Sequence, residues 1–145
     1  MTTIYTIGFT KKTLQEFIEA LRQAGVRRVV DVRLRNTSQL AGWSKYPDFA
    51  YLLEAGFSIA YEHHPEFAPT GELLDGYKQN KDWPRYEEAF NQLLAARQPE
   101  TEGRELLKKD GICLLCTEPT PEKCHRRLVA EYLIGLMPEA KVKHL

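Results

Sequence analysis

The stretch "CLLCTEPTPEKCHRRL", from Cys113 to Leu128, holds all three cysteines of the chain, one of its four histidines and two arginines. These residue types suit sulfur and proton chemistry beside an anion. A cysteine attacks as its thiolate, and nearby cations or a helix N-terminus raise the thiolate fraction. Cys116 and Cys124 are therefore candidate nucleophiles or polar anchors. His125 is the candidate acid–base group, because imidazole titrates near neutrality. Glu118 or Asp31 can orient it or serve as a base. Arg33 and Arg126 offer planar forks for a phosphate or carboxylate. A structural reading competes for each residue: small buried thiols, a satisfied core histidine, and buried ion pairs for Asp31, Arg33 and Arg126. Cys113 lies in an apolar run and reads as core.

Cys116, Cys124 and His125 are also metal-ligand types. Their spacing matches no C-x-x-C pair. Neighbouring residues on an ideal helix also point about 100° apart, which separates Cys124 from His125. No metal and no cofactor are expected.

Positioning these groups requires alternating strands and helices. "TIYTIG" (3–8) is a β-branched run ending at glycine and reads as a strand. Thr13 is a candidate cap for a helix in which Leu14, Phe17, Ile18 and Leu21 recur at helical spacing, with Gly25 as its stop. "RRVVDVR" (27–33) reads as a second strand, followed by a polar loop over 35–45. Pro47 to Ala55 predicts a short helix, and "FSIAY" (57–61) a third strand. Residues 62–71, with His63 and His64, read as a loop. Helical spacing returns over 72–80, 85–97 and 102–108; the Tyr86, Phe90 and Leu94 stripe reads as core. "GICLLC" (111–116) has no alternation, the pattern of a central strand buried on both faces. Thr120 and Pro121 predict the cap and first turn of the last long helix. "KVKHL" closes the chain as a short strand.

Such alternation implies an α/β fold: one domain over 1–145, a three-layer sandwich with a mainly parallel, Rossmann-like sheet of about five strands flanked by helices. A strand order of 3-2-1-4-5 is expected, with a crevice between the first and fourth strands. All carboxyl ends of a parallel sheet share one edge. Gly8 and Thr10 after the first strand, Asp31 and Arg33 ending the second, and Cys116 and Glu118 after the fourth should therefore meet Cys124, His125 and Arg126. Free amides at a helix N-terminus would favour an anion there. Phosphate or sulfate is expected on the amides between Thr120 and Cys124.

Lys plus Arg and Asp plus Glu both total 20. A zero net charge argues against a chain-wide electrostatic grip on nucleic acid. No apolar run approaches the roughly 18–20 residues that span a bilayer, and "MTTIYTIGFT" lacks the pattern of a signal peptide. A cytoplasmic location with reduced thiols is expected. The sequence sets no oligomeric state.

"CTEPTPEKCHR" (116–126) resembles the C-x-E-x-x-P-x-x-C-H-R signature of domain-of-unknown-function family 488. Cys116, Glu118, Pro121, Cys124, His125 and Arg126 all match it. "TIG", "DVR" and the closing "VKHL" are similar to further family motifs in the same order. The chain departs from the family pattern in three places. Phe9 and Thr10 replace the His-Ser after "TIG". Asn36 replaces a proline after "DVR", although Ser38 fits. "EFAPTG" replaces a Gly-Gly. The resemblance implies an α/β fold with a shared polar site, and it supplies no reaction.

The leading expectation is a small cytosolic enzyme. Cys116, Glu118, Cys124 and His125 form its catalytic set, and Gly8, Thr10, Asp31, Arg33, Ser38 and Arg126 its binding set. Its ligand is an anionic small molecule, a nucleotide or other phosphorylated compound. A non-catalytic nucleotide or nucleic-acid binding module and a metal-dependent hydrolase are the two alternatives. A steep salt dependence marks the module, and elemental analysis marks the hydrolase.

Overall fold

A computed structural model of the chain describes residues 2–37 and 42–145. Five strands form one all-parallel sheet: β1 (Thr3–Gly8), β2 (Arg28–Asp31), β3 (Ala60–His63), β4 (Ile112–Cys116) and β5 (Lys141–His144). Their spatial order is β3-β2-β4-β1-β5. This corrects the expected 3-2-1-4-5. Every residue of β4 is buried, so this strand takes the centre, between β2 and β1. β1 instead carries the exposed edge strand β5. The expected neighbourhood of the first and fourth strands holds, with Gly8 opposite Cys116.

Helices cover both faces. One face packs Ile7, Val29, Cys113 and Leu115 against Phe17, Ile18 and Leu21 of α1 (Leu14–Ala24) and Phe49 of α2 (Asp48–Tyr51). The other packs Ile4, Val30, Val32 and Leu114 against α4 (Trp83–Arg97), α5 (Glu100–Leu107) and α6 (His125–Leu136). A helix α3 (Gly71–Asn80), with no fully buried residue, lies beside α4. The chain after β1 thus passes to one face and the chain after β4 to the other. That divergence opens a crevice at the carboxyl ends of these adjacent strands. Among the described residues, no helix is long and apolar enough to cross a membrane.

Local signals explain the boundaries. Thr13 and Glu16 form a reciprocal capping box, Glu16 N–H donating to Thr13 Oγ1 at 3.1 Å and Thr13 N–H to Glu16 Oε1 at 2.9 Å. Gly25 ends α1 at φ 75°, a left-handed position that favours glycine. The third strand corrects its expected span of 57–61. Ser58 has φ 56° and Ile59 N–H returns to the Leu53 carbonyl, so extended pairing begins only at Ala60.

The last long helix begins at His125 rather than at Pro121. Residues 117–124 form turns and bends that cross the sheet edge first. Thr117 O accepts from Thr10 N–H at 3.2 Å and from Thr10 Oγ1 at 2.6 Å, and Glu118 O accepts from Arg126 Nη1. With the strand's exit tied to the loop after β1, the chain must travel to Cys124 before a helix can lie back on the sheet.

Candidate functional site

Cys116 ends β4, and its Sγ lies 3.4 Å from His125 Nδ1. His125 Nε2 is 2.7 Å from the Val32 carbonyl oxygen. A carbonyl only accepts, so Nε2 carries a proton and Nδ1 faces the sulfur. Phe90 holds the ring edge-on, with centroids 5.5 Å apart. Cys124 is the N-cap residue of α6, in an extended conformation at φ −137°, ψ 138°. It is not helical, so the 100° divergence expected from an ideal helix does not apply. The ligand atoms of Cys116, Cys124 and His125 all lie within 4.8 Å of one another.

The two thiols are not equivalent. Burial opposes ionisation of Cys116. The Cys124 thiol, the Thr117 N–H, the Arg126 charge and the Glu118 N–H outweigh burial and bring its pKa below the ordinary value. Cys124 moves the other way, raised by its own burial and by neighbouring Cys116. Cys113, on the opposite face of the sheet, is raised by burial in an apolar core. Of the three thiols, Cys116 is the one whose pKa is drawn below the ordinary value.

A cleft of ≈ 200 Å³ opens at this point. Cys116, His125, Glu118 and Arg33 reach its wall, as do Phe9, Trp83, Tyr86 and Lys123. Cys124 is buried and does not line the cleft. A wider groove of ≈ 430 Å³ runs between α3 and α4, and no cysteine or histidine lines it.

Asp31 and Arg33 are set by one buried network. Arg33 donates through Nε to Asp31 Oδ1 at 2.9 Å and through Nη2 to Oδ2 at 2.8 Å. Its Nη2 also reaches the Ser44 carbonyl at 2.9 Å, and Tyr61 OH donates to Asp31 Oδ2. Asp31 is fully buried and Arg33 4% exposed. Phe9 and Phe49 flank the guanidinium, at 5.2 and 5.8 Å. Burial alone would lower the Arg33 pKa; the Asp31 contacts reverse that and hold it charged. Asp31 thus presents Arg33 to the cleft without reaching it.

Three expected binding residues are occupied in holding the frame. A Cβ on Gly8 would sit 1.6 Å from the Glu118 carbonyl oxygen, so glycine is required for this close approach. Thr10 is committed to Thr117. Arg126, 1% exposed, spends Nε on Thr6 Oγ1 at 3.3 Å and Nη1 on Glu118 O. None of the three lines the cleft. Among the described residues, no carboxylate lies within ion-pair distance of Arg126. Ser38 lies outside the described residues. His63 and His64 serve elsewhere: His63 Nε2 meets Arg33 O at 2.8 Å, and His64 spans Glu62 and Glu66.

Residues 13–133 match the family described as a domain of unknown function, DUF488. The chain belongs to the DUF488 family. No curated protein and no solved structure matches it. The matched range takes in Asp31, Arg33 and the whole Cys116–Arg126 stretch of this DUF488 chain.

Several cleft residues carry no signal in the sequence. Lys123 is one solvated lysine among many by composition. Arg35, Lys78 and Trp83 come from three different segments. Phe9 is the exception, since the resemblance drawn from the sequence singled it out directly after "TIG". Tyr86 was expected as core: it is buried, and it also forms part of the cleft wall.

Proposed function

We propose that this DUF488 chain is a small enzyme that holds an anionic small molecule in the cleft against Cys116 and His125. The observation that carries this reading is the pairing of the Cys116 sulfur with an imidazole nitrogen 3.4 Å away, both on the wall of a cleft that lysine and arginine also line. Among the described residues, Arg33, Arg35, Lys78 and Lys123 line the cleft with one carboxylate, Glu118. Arg33 and Arg35 are paired with Asp31 and Asp75, which leaves Lys78 and Lys123 as the cations outside an ion pair. The chain as a whole is neutral, so this excess is local. Below the cleft, buried Arg126 lacks a carboxylate partner, which favours a negative centre at Cys116 or on the ligand. The Cys116 pair supplies the sulfur and proton chemistry. Arg33, stiffened by Asp31, and Lys123 bind the charged group. Gly8, Thr10 and Arg126 are positioning residues, acting through the Thr117–Glu118 backbone.

A second reading rests on a different feature. Trp83 stacks on Tyr86 at 5.2 Å and meets Tyr77 at 5.7 Å, and all three reach the cleft. Such rings accept a base, which favours a nucleotide among anions and also fits a non-catalytic binding module. Calorimetric titration with phosphate, mononucleotides and sugar phosphates tests both readings. Lys123→Ala is expected to weaken binding roughly fivefold, the worth of one partly exposed charged contact. Turnover lost in Cys116→Ser with binding retained supports the enzyme. Binding with no turnover of any bound compound supports the module. Absence of binding across the panel rejects both.

A further inference from the structure

Cys116, Cys124 and His125 converge from two sides of one connection, although no motif spacing joins them. Tetrahedral zinc takes thiolate sulfur at about 2.3 Å and imidazole nitrogen at about 2.0–2.1 Å, which sets ligand sulfur and nitrogen about 3.5 Å apart and two ligand sulfurs about 3.8 Å apart. Cys116 Sγ and His125 Nδ1 are 3.4 Å apart, and all three donor atoms fall within 4.8 Å. The Cys116–His125 distance matches a shared ion, and the 4.8 Å limit over all three is wider than the ideal spacing, so the donors would close in on binding it.

We propose that these three side chains form a binding site for a soft divalent metal ion, zinc by its chemistry, with the fourth coordination position open to the cleft. Two thiolates and an imidazole select zinc over magnesium or calcium, which take oxygen ligands. Two thiolates also balance the dication. His125 already has the supporting contact that metal-bound histidines make: Nε2–H donates to the Val32 carbonyl at 2.7 Å, which fixes the ring and turns Nδ1 inward. Phe90 restricts the ring further. Cys116 and His125 line the cleft and Cys124 does not. With two of the three donors on the cleft wall, a fourth position on that side would be open to water or a ligand oxygen. Three protein ligands plus one open position is the arrangement of catalytic rather than structural zinc. Among the described residues, no fourth cysteine or histidine joins this cluster, which fits that arrangement. The site rests on the enzyme reading and changes its chemistry: as zinc ligands, Cys116 and His125 would no longer act as free sulfur and proton groups, and the ion would supply a Lewis acid where the anionic ligand would lie.

Purified full-length protein, stripped with a chelator and reloaded with zinc, is expected to hold close to one equivalent by elemental analysis. Cys113→Ala should hold the same. Cys116→Ser, Cys124→Ser and His125→Gln should each lower zinc affinity at least tenfold while the circular dichroism spectrum is kept. Cobalt in the wild type should give thiolate charge-transfer absorption and tetrahedral visible bands, a readout that needs no variant to fold. Folded wild type without those bands, or zinc uptake that Cys113→Ala loses as much as Cys116→Ser, overturns the proposal. Phosphate and nucleotide titrations of stripped protein separate the two claims. Anion binding without zinc uptake leaves the cleft reading standing and ends the metal site. Zinc uptake without anion binding does the reverse.

Discussion

Around Glu62, at the β2–β3 edge, strong donors and acceptors are matched. Arg28 Nη1 meets Glu62 Oε2, Lys109 Nζ lies 3.0 Å from Oε2, and His64 Nε2 lies 2.8 Å from Oε1. His64 in turn reaches Glu66. Around Cys116 the charges do not balance. Arg126 is buried with no carboxylate in reach among the described residues, and Lys123 and Lys78 face a cleft with a single carboxylate. The first cluster is complete without a ligand and contributes to stability. The second has unmatched positive charge and two unequal thiols in the same fold. Local incompleteness of this kind is what the proposed binding site requires and a fastener does not.

The two clusters should respond differently to substitution, and the largest effect is expected at Arg33. Arg33→Ala leaves Asp31 fully buried without its cation. Removing one partner of a buried pair costs about 3–5 kcal/mol. Thermal or urea unfolding should show this loss, and a double variant with Asp31→Asn should recover part of it. Full additivity of the two changes would contradict the buried pair.

Gly8→Ala is next. The new Cβ meets a backbone carbonyl rather than a movable side chain. Overpacking costs about 1–3 kcal/mol, and the upper end is expected here. Relief requires Glu118 to move, which withdraws its N–H from Cys116. Alkylation of metal-free protein at neutral pH should therefore slow at Cys116 as the melting temperature falls. An unchanged Cys116 rate would separate the close approach from the thiolate.

Glu62 tests the closed cluster by pH. Burial works to raise its pKa, but His64, Lys109 and Arg28 outweigh it and hold the carboxyl at about 2, below the ordinary 4.5. A depressed folded pKa means that the stabilisation is fully present above pH 4.5. It is lost as the pH falls from there through about 2. After allowance for solvent screening at a partly exposed group, about 1–2 kcal/mol is expected. Unfolding measured across that window should show this slope in wild type, and Glu62→Gln should remove it.

These contrasts also explain what the sequence made legible. α1 could be placed to the residue because Thr13, Glu16 and Gly25 act locally. β4 could be read as an interior strand because an apolar run needs cover on both faces, although the expected order set β1 rather than β4 in the middle. The neighbourhood of 3–8 and 112–116 was expected, but the full strand order could not be read, since the pairing of 28–31 with 112–116 and of 3–8 with 141–144 is not encoded in any of these segments alone. β3 was displaced because Glu62 and His63 look like loop residues until Arg28 and Arg33 stand beside them. The convergence of Cys124 with His125 was hidden by a helix assumed to start at Pro121. Once Cys124 is a cap rather than a helical residue, neighbours in sequence can aim at one point. The chemistry of the site was visible as residue types, and its geometry depended on one turn boundary.

The smallest expected effect concerns the mouth of the cleft, where Arg35 pairs with Asp75 of α3 at 3.0 and 3.2 Å. Both side chains are about half exposed. Such pairs contribute little to stability, so Asp75→Ala should leave the melting temperature nearly unchanged. Its effect on binding should have the opposite sign to that of Lys123→Ala. Asp75 occupies both Nη nitrogens of Arg35, a residue that also lines the cleft. An incoming anion must compete with that carboxylate. Removing Asp75 frees the guanidinium and takes away a negative charge near the entrance. Phosphate or nucleotide affinity should rise by roughly two- to fivefold, less so at high salt, where exposed charges are screened. Calorimetric titration at two ionic strengths measures both changes. A fall in affinity would mean that Asp75 positions Arg35 for the ligand, as buried Asp31 does for Arg33, and the mouth would then belong with the built part of the site.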